Sequence, residues 1–299
     1  MTNLVTLTRV RMQLALRNKM FFFFSVVMPM GFFFLYAGVF AKGEPHAVRF
    51  FLGPVLALNV MGSFWGLSAV LVMFREQGIL RRFHVTPVSA SDMLASSILA
   101  NFVLTLPTVV AILFLARVVF HVRNFGNPLA LFLFVCIGTV AFGSLGLVVA
   151  SITNTMQETQ VLNQILWLPL IFLSGATMPL SYLPKVVQGF SVFLPATYLV
   201  TGLQQASLLS KSITELLTYF LSLLIWTLLS FFVASQLFRW EPETKIPRNG
   251  KLWAAATIIP FLLLGIWEHG NGKMLADAQS AYRALTEQRN TQPANPPKN

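Results

Sequence analysis

Charged residues are scarce in this chain, at 10% of 299 positions, whereas soluble domains carry about 25%. The single cysteine, Cys136, excludes an intrachain disulfide and a cysteine-based metal site. The four histidines are far apart in the sequence, which argues against a metal cluster; they are His46, His84, His121 and His269. These scarcities argue against a soluble enzyme.

A nucleotide-binding loop is also missing. The stretch Gly270–Met274 lacks the earlier glycine of a Walker-type loop and has methionine where serine or threonine is required. We therefore expect a chain that is not itself an enzyme and that binds no cofactor of its own.

What the chain has is apolar sequence. Hydrophobic residues make up 56% of it and the mean hydropathy is +0.70. About 20 apolar residues cross the hydrocarbon core of a bilayer, and the sequence offers six such segments and a shorter seventh. They are Met20–Phe40, Phe50–Phe74, Met93–Ala116, Leu129–Ala150, a segment from Ile165 to about Thr177, Ile213–Phe238 and Leu252–Trp267. The predicted fold is an all-α membrane protein.

Ionisable residues are absent from the middle of every predicted span. Ion-coupled carriers usually keep such a residue at membrane depth because a proton relay needs one. This argues against a secondary carrier, a voltage sensor and an intramembrane protease.

Lysine and arginine predict the orientation, because cytoplasmic loops are enriched in them. Eleven lie in the N-terminus and the 75–92 and 239–251 loops, six in the alternate loops and four in the C-terminal tail. We expect the N-terminus and those two loops in the cytoplasm. The net charge of +11 then reflects these loops rather than nucleic-acid binding.

The chain divides into three parts. Residues 1–19 mix leucine and valine with four basic residues and predict an amphipathic connecting helix on the cytoplasmic membrane surface. Residues 20–240 form the transmembrane domain. Residues 241–299 are a C-terminal extension with a short apolar segment, 252–267, and a polar tail.

The apolar segment 252–267 leaves two alternatives. Its 16 residues are few for a span, Pro260 lies in its middle, and Trp253 and Trp267 stand near its ends as interfacial aromatics do. It either crosses as a seventh span, placing the tail outside, or lies in the interface. Beyond it, the pattern predicts a surface helix over Met274–Gln288 and disorder over Thr291–Asn299.

The segment Pro179–Leu209 is apolar but interrupted by Pro184, Gly189 and Pro195. A straight span cannot accommodate these breaks, so we predict two short re-entrant helices dipping into the outer leaflet. Irregular backbone there must be covered by protein or face water.

The hydrophilic stretch Phe74–Ser89 follows the second span directly. A helix through Arg75–Phe83 would combine charge with an apolar stripe, and Pro87 would end it. Such a helix on the cytoplasmic surface could dock into a groove of another protein. The alternative is a solvated connecting turn.

Small and polar residues inside the spans are few. Gly62 and Gly66 form a GxxxG pair that would let two helices approach closely, either between two copies or within one chain. Asn59 and Asn101 are expected to form hydrogen bonds between helices, with contact to a substrate as the alternative.

Two stretches carry a resemblance to a family. In the first, an acidic residue is followed by a glycine two positions later, then by Leu80, Thr86-Pro87 and Ser89. The second stretch comprises Gly143–Gly146, Leu168–Gly175, Met178-Pro179, Leu183-Pro184 and Leu194-Pro195. Together they resemble the type-2 ABC exporter permeases of bacterial drug-resistance and polysaccharide-export systems. The likeness covers residues 1–240. Ile79 departs from the threonine frequent there, and the seventh segment is not part of the usual six-span unit.

The resemblance implies the transmembrane subunit of an ATP-driven exporter in the cell inner membrane. Two copies, identical or related, would form the pathway, and separate ATPase subunits would bind ATP-Mg. Coupling to the ATPase would fall on two loops, at Glu76, Gly78, Leu80, Arg81, Arg82, Phe83 and Pro87 in the first and at Gln157 and Glu158 in the second. The substrate would be amphipathic or lipid-linked, entering from the cytoplasm or the inner leaflet.

Two other classes of function are weighed against this one. A secondary carrier or channel would work without a nucleotide-hydrolysing partner. An assembly subunit or an intramembrane lipid-modifying enzyme would transport nothing, and the enzyme would need acidic residues or histidines clustered at one leaflet.

Overall fold

A computed structural model describes residues 2–17, 23–84, 88–241 and 249–291. Every regular element in these ranges is helical. The α-helices in chain order are α1 (Thr2–Arg17), α2 (Met28–Leu35), α3 (Pro45–Glu76), α4 (Ile79–His84), α5 (Ala90–Val118), α6 (Pro128–Ile152), α7 (Met156–Leu173), α8 (Lys185–Ser191), α9 (Pro195–Leu208), α10 (Leu217–Leu237), α11 (Gly250–Ala256), α12 (Ile259–Asn271) and α13 (Lys273–Thr291).

Five helical segments of the described chain are long and apolar enough to cross a membrane. They are α3, α5, α6, α10 and the run Leu252–Asn271 through α11 and α12, and the bent pair of α8 and α9 would make a sixth. The chain is thus a multi-pass helical membrane protein. The first predicted span is described only from Phe23, and its apolar helix, Met28–Phe40, is shorter than the others.

The fifth predicted span corresponds to α7, which is not among the described helices that are long and apolar enough to cross a membrane, so its crossing stays a prediction. α7 begins at Met156 rather than Ile165. Gln157, Glu158 and other polar residues occupy its first turns, so an apolar pattern does not detect this start. The side chain of Thr155 accepts a hydrogen bond from the backbone N–H of Glu158 at 3.2 Å. This N-cap, with its glutamate three residues on, is the sequence signal that marks the true start.

Close helix packing around α6 builds the core. A Cβ atom added at Gly146 would lie 2.4 Å from the carbonyl oxygen of Phe64 on α3. One added at Gly53 on α3 would lie 2.8 Å from the backbone nitrogen of Gln204 on α9. Glycine therefore lets α3 approach α6 at one level and α9 at another, as small residues do in membrane bundles.

The bundle has two ends, named here by a residue at each. The Arg75 end carries the C-termini of α3, α6 and α10 and the N-termini of α5 and α7. The Lys211 end carries the opposite termini, the segment 174–195 and α13. Arg75 marks the first end because it hydrogen bonds to the last turn of α6. Lys211 marks the other end because it hydrogen bonds to Asp277 of α13.

The interrupted segment forms two short helices, as predicted. α8 and α9 meet at 94°, with Pro195 in the first turn of α9, where its missing N–H leaves no helical bond unmade. Every residue of 196–208 is buried, and α9 packs against α3, α6 and α10. A helix enclosed on all sides belongs to the core; its depth in the outer leaflet stays a prediction.

The C-terminal extension runs along the bundle from one end to the other. Ala254 of α11 packs in the same cluster as Leu237, at the Arg75 end. Phe261 of α12 lies halfway along, with its ring centroid 5.3 Å from that of Trp226. The helix breaks at 257–258, which places Pro260 in the first turn of α12 instead of mid-helix.

The tail is docked more tightly than a surface helix. Asp277 of α13 pairs with Lys211 at 3.1 Å and accepts a hydrogen bond from the Tyr219 hydroxyl at 2.5 Å. Glu268, expected to begin the polar tail, is instead buried in α12, where its carboxylate accepts the N–H of Met274 at 3.0 Å. The prediction for Glu268 was wrong because its partner is the first turn of α13, and the expected disorder falls mostly on residues 292–299, outside the described chain.

Candidate functional site

A glycine separates the second span from the helix that follows it. Gly78 has a φ of +68°, and its N–H donates to the carbonyl oxygen of Arg75 at 3.0 Å. A left-handed residue ends an α-helix, and glycine adopts that conformation without steric strain. The predicted continuous helix through Arg75–Phe83 is therefore wrong: α3 ends at Glu76 and a separate α4 begins at Ile79.

Two arginines cap the C-terminus of α6. Arg75 Nη1 donates to the carbonyl oxygens of Ala150 and Thr153, both at 2.9 Å, and its side chain is fully buried. Arg239 Nη2 donates to Thr153 O at 2.8 Å and to Ser151 O at 3.2 Å. The negative end of a helix dipole and its unpaired carbonyls favour cations there.

The two arginines also hold each other. Arg75 Nε donates to the backbone carbonyl of Arg239 at 3.2 Å, and Arg239 Nη1 donates to Asn154 Oδ1 at 2.9 Å. Burial holds the pKa of Arg239 below its usual value, and the nearby Glu158 carboxylate offsets part of this lowering. The ends of α3, α6 and α10 are thereby fixed to one another.

Glu76 connects the first loop to the second. Its Oε1 accepts the backbone N–H of Met156, the first residue of α7, at 2.9 Å. Glu158 in turn accepts the N–H of Asn154 at 2.7 Å. Glu76 and the start of α7 thus meet at the Arg75 end, and we call residues 76–84 and 153–158 the two-loop surface.

The residues of α4 divide into anchors and exposed groups. Leu80 is fully buried, and Phe83 is half-buried against the same apolar cluster. Arg81 and Arg82 are exposed, and Arg81 lies 3.6 Å from Glu241. Leu80 and Phe83 therefore position the helix, and the two arginines point to solvent.

The remaining predicted coupling residues are Gln157, Glu158 and Pro87, and the structure describes only the first two. Gln157 and Glu158 are exposed on the first turn of α7 and share the two-loop surface with Glu76. Pro87 lies outside the described residues, which stop at 84 and resume at 88.

Sequence reasoning missed the residues that hold this surface together. In the sequence Arg75 and Arg239 stand out only as loop charges, and no motif marks Asn163. Asn163 is fully buried on α7 and donates to the Ser68 hydroxyl of α3 at 2.8 Å. Asn163 follows Thr159, another buried residue of α7, by four positions, which is a helical spacing and the only local signal for it.

The predicted asparagines form no such bridge in the described structure. Asn59 Oδ1 and Asn101 Nδ2 are buried and have no hydrogen-bond partner among the described residues. The expected hydrogen bonds between helices therefore form at Asn163 and not through these two atoms.

The glycine pair Gly62 and Gly66 faces open space. A Cβ atom added at either position would meet no atom of the described chain within 4 Å. Within that part of the chain, then, no helix uses the pair for close packing. α7 also exposes a row of apolar residues, which are Val161, Ile165, Leu168 and Phe172.

The fold and this site define a class: a multi-pass helical membrane protein in which two loops meet at one end and whose sequence carries no Walker-type nucleotide-binding loop. The model of the family described as ABC-2 type transporter matches residues 2–208. The chain therefore belongs to the ABC-2 type transporter family. The match ends before α10, so α10 and the C-terminal extension lie beyond it.

Curated relatives are distant. The chain is 24% identical over 160 residues to the linearmycin resistance permease protein LnrN of Bacillus subtilis, covering 54% of this chain and 41% of that protein. It is 22% identical over 203 residues to the putative transport permease YvfS of the same organism, covering 64% and 80%. A third is the probable multidrug ABC transporter permease YbhS of Escherichia coli, at 24% over 165 residues, covering 54% and 44%.

The chain thus spans less than half of the length of two of these three relatives. No solved structure matches it.

Proposed function

We propose that this chain is the transmembrane subunit of an ATP-driven exporter and that a separate ATPase docks on the two-loop surface. The observation that carries the proposal is the hydrogen bond from Met156 N to Glu76 Oε1, which joins two loops 80 residues apart into one surface. A push on either loop is then transmitted to α3 and α7 together. The ATPase would hold ATP-Mg.

The path from this surface into the membrane runs through buried polar contacts. The Ser68–Asn163 hydrogen bonds tie α3 to α7 further along the bundle. ATP binding can shift the permease between inward and outward access only if the ATPase contacts the two states differently. Because Glu76 joins the two loops, an ATPase bound to this surface would act on α3 and α7 together.

The second copy would pack on the open face described above. Gly62 and Gly66 leave room for a close helix, and the exposed row of α7 supplies apolar surface. The pathway between two such faces would be apolar and uncharged, which suits an amphipathic or lipid-linked substrate.

The orientation follows from the basic residues. We place the Arg75 end in the cytoplasm of the cell and the chain in its inner membrane. Because α11 and α12 run the length of the bundle, α13 would then lie outside. A topology reporter fused after Gly272 is expected to read as external, with a fusion after Gln77 as the internal control. A cytoplasmic signal after Gly272 would contradict this orientation of the tail.

Glu76→Ala is expected to lower coupled transport at least about tenfold while the protein still inserts. It removes a cap of α7, an interaction worth about 1 kcal/mol in stability, so the expected effect is on coupling rather than on folding. Glu76→Gln should retain much of the activity, since its amide oxygen can accept the same hydrogen bond.

The matched control for this change is Glu44→Ala. Glu44 is exposed before α3 at the opposite end and makes no side-chain cap bond. Transport and ATP hydrolysis would be measured together in proteoliposomes. Equal activity of Glu76→Ala and the wild type would remove the coupling role.

The proposal as a whole is tested by co-purification with an ATPase and by reconstitution. We expect the complex to hydrolyse ATP, to be stimulated by amphipathic substrates, and to transport nothing without the ATPase. Solute movement by the purified chain alone would favour the alternative of a secondary carrier or channel.

A further inference from the structure

The N-terminal helix α1 is attached to α5 through a half-buried arginine. Arg11 Nη2 donates to the Met93 sulfur at 3.3 Å, and its guanidinium lies 5.6 Å from the Phe74 ring centroid. Burial lowers the pKa of Arg11 to about 10, so it stays charged at neutral pH. One basic residue of the predicted amphipathic helix thus faces protein, and this contact fixes where α1 lies.

A groove remains beside this attachment. Its volume is about 310 Å³, and it lies between one face of α1 and Leu99 of α5. Val5, Met12 and Leu16 supply apolar lining, and Arg9 lines the groove while remaining exposed. The groove is therefore almost wholly apolar, and the exposed residue Arg9 lies at its edge.

Size and charge select what can fill the groove. A volume of 310 Å³ is at the low end of small-ligand sites, about 300–1,000 Å³, and a helix about 10 Å across would not fit. α1 contains three arginines and no acidic residue. A neutral polar solute would not cover the apolar lining. A lipid would place its acyl chain against the apolar lining and its anionic headgroup near Arg9.

We propose that the groove is a binding site for one anionic phospholipid, with an acyl chain along Met12, Leu16 and Leu99 and the phosphate beside Arg9. The surroundings suit a lipid, because α5 also exposes Val110 and Phe114. The site depends on the chain lying in a membrane and not on ATPase coupling. Its failure and the failure of the proposed function are therefore separable.

The test uses the full chain in nanodiscs of phosphatidylcholine containing a minor fraction of phosphatidylglycerol with a photoactivatable acyl chain. Labelled peptides are mapped by mass spectrometry. We expect labelling of α1 and of the Leu99 region by phosphatidylglycerol, and much less by phosphatidylcholine carrying the same chain. Leu99→Trp, which fills the groove, should reduce labelling about tenfold.

Arg9→Gln tests the headgroup separately. It should reduce the preference for phosphatidylglycerol about fivefold, the effect of one basic residue near an anionic surface. Two controls should behave as the wild type: Arg17→Gln, exposed on α1 outside the groove lining, and Val110→Trp, exposed elsewhere on α5.

Three results would overturn the proposal. They are equal labelling by the two lipids, labelling unchanged by Leu99→Trp, and an equal loss in Val110→Trp. A monodisperse elution profile for each variant shows that a loss of label reflects the groove and not misfolding.

Discussion

Replacing Arg75 with methionine is expected to abolish coupled transport and to destabilise the permease by about 2–4 kcal/mol. The change leaves the carbonyl oxygens of Ala150 and Thr153 without their charged donor in a buried site. It also frees the end of α3 from Arg239. The measurements are the apparent melting midpoint in detergent, and transport and ATP hydrolysis in proteoliposomes.

Two variants separate charge from geometry. Arg75→Lys keeps the charge but cannot reproduce the planar fork that reaches three carbonyls, so we expect it to recover part of the stability and little of the coupling. Arg117→Met removes an exposed arginine from the last turn of α5 at the opposite end and should behave as the wild type. Wild-type coupling in Arg75→Met would show that the arginine cap plays no part in the two-loop surface.

Gly78→Pro is expected to give a protein that inserts but does not couple. Proline fixes φ near −65°, whereas Gly78 has a φ of +68°, and proline also removes the N–H that bonds to Arg75 O. The turn between α3 and α4 cannot form, so α4 would lose its position against the end of α3. Insertion is measured by membrane fractionation, and coupling by substrate-stimulated ATP hydrolysis.

A graded series at the same position provides the control. A Cβ at Gly78 would meet no described atom within 4 Å, so only the backbone conformation penalises a side chain. Asparagine tolerates the left-handed region and should remain close to the wild type, while alanine, at about 1–2 kcal/mol of strain, should be intermediate. The order Asn, Ala, Pro is the signature of a φ requirement. Equal activity of all three would mean that the turn is not needed for coupling.

The elements predicted most accurately from the sequence are those with long apolar runs. Four helices begin and end within a few residues of the predicted spans, namely α3, α5, α6 and α10. The two helices on either side of Pro195 were predicted from the proline positions. α7 was placed too late, since a polar first turn conceals a helix start from hydropathy. The break at Gly78 was missed, because a helical stripe of Ile79, Leu80 and Phe83 continues across it.

The sequence located the two loops, but it did not indicate the contacts between them, and their role in coupling stays a prediction. The loops around Glu76 and Glu158 were identified from a resemblance, and the structure brings them together. What joins them are contacts between residues 75 to 164 positions apart, such as Arg75 to Ala150 and Arg75 to Arg239. Such pairings depend on how helix ends meet, and no local pattern encodes them.

The docking of α13 has a kinetic consequence. Asp277 binds Lys211 and Tyr219 while its backbone carbonyl accepts from Gln205 of α9, and the hydroxyls of Tyr182 and Tyr282 lie 2.7 Å apart. Any rearrangement that carries α9 away from its neighbours must first release this tail. In the transport cycle proposed above, breaking these contacts would therefore slow any step that moves α9, and a chain without α13 would be expected to change conformation faster.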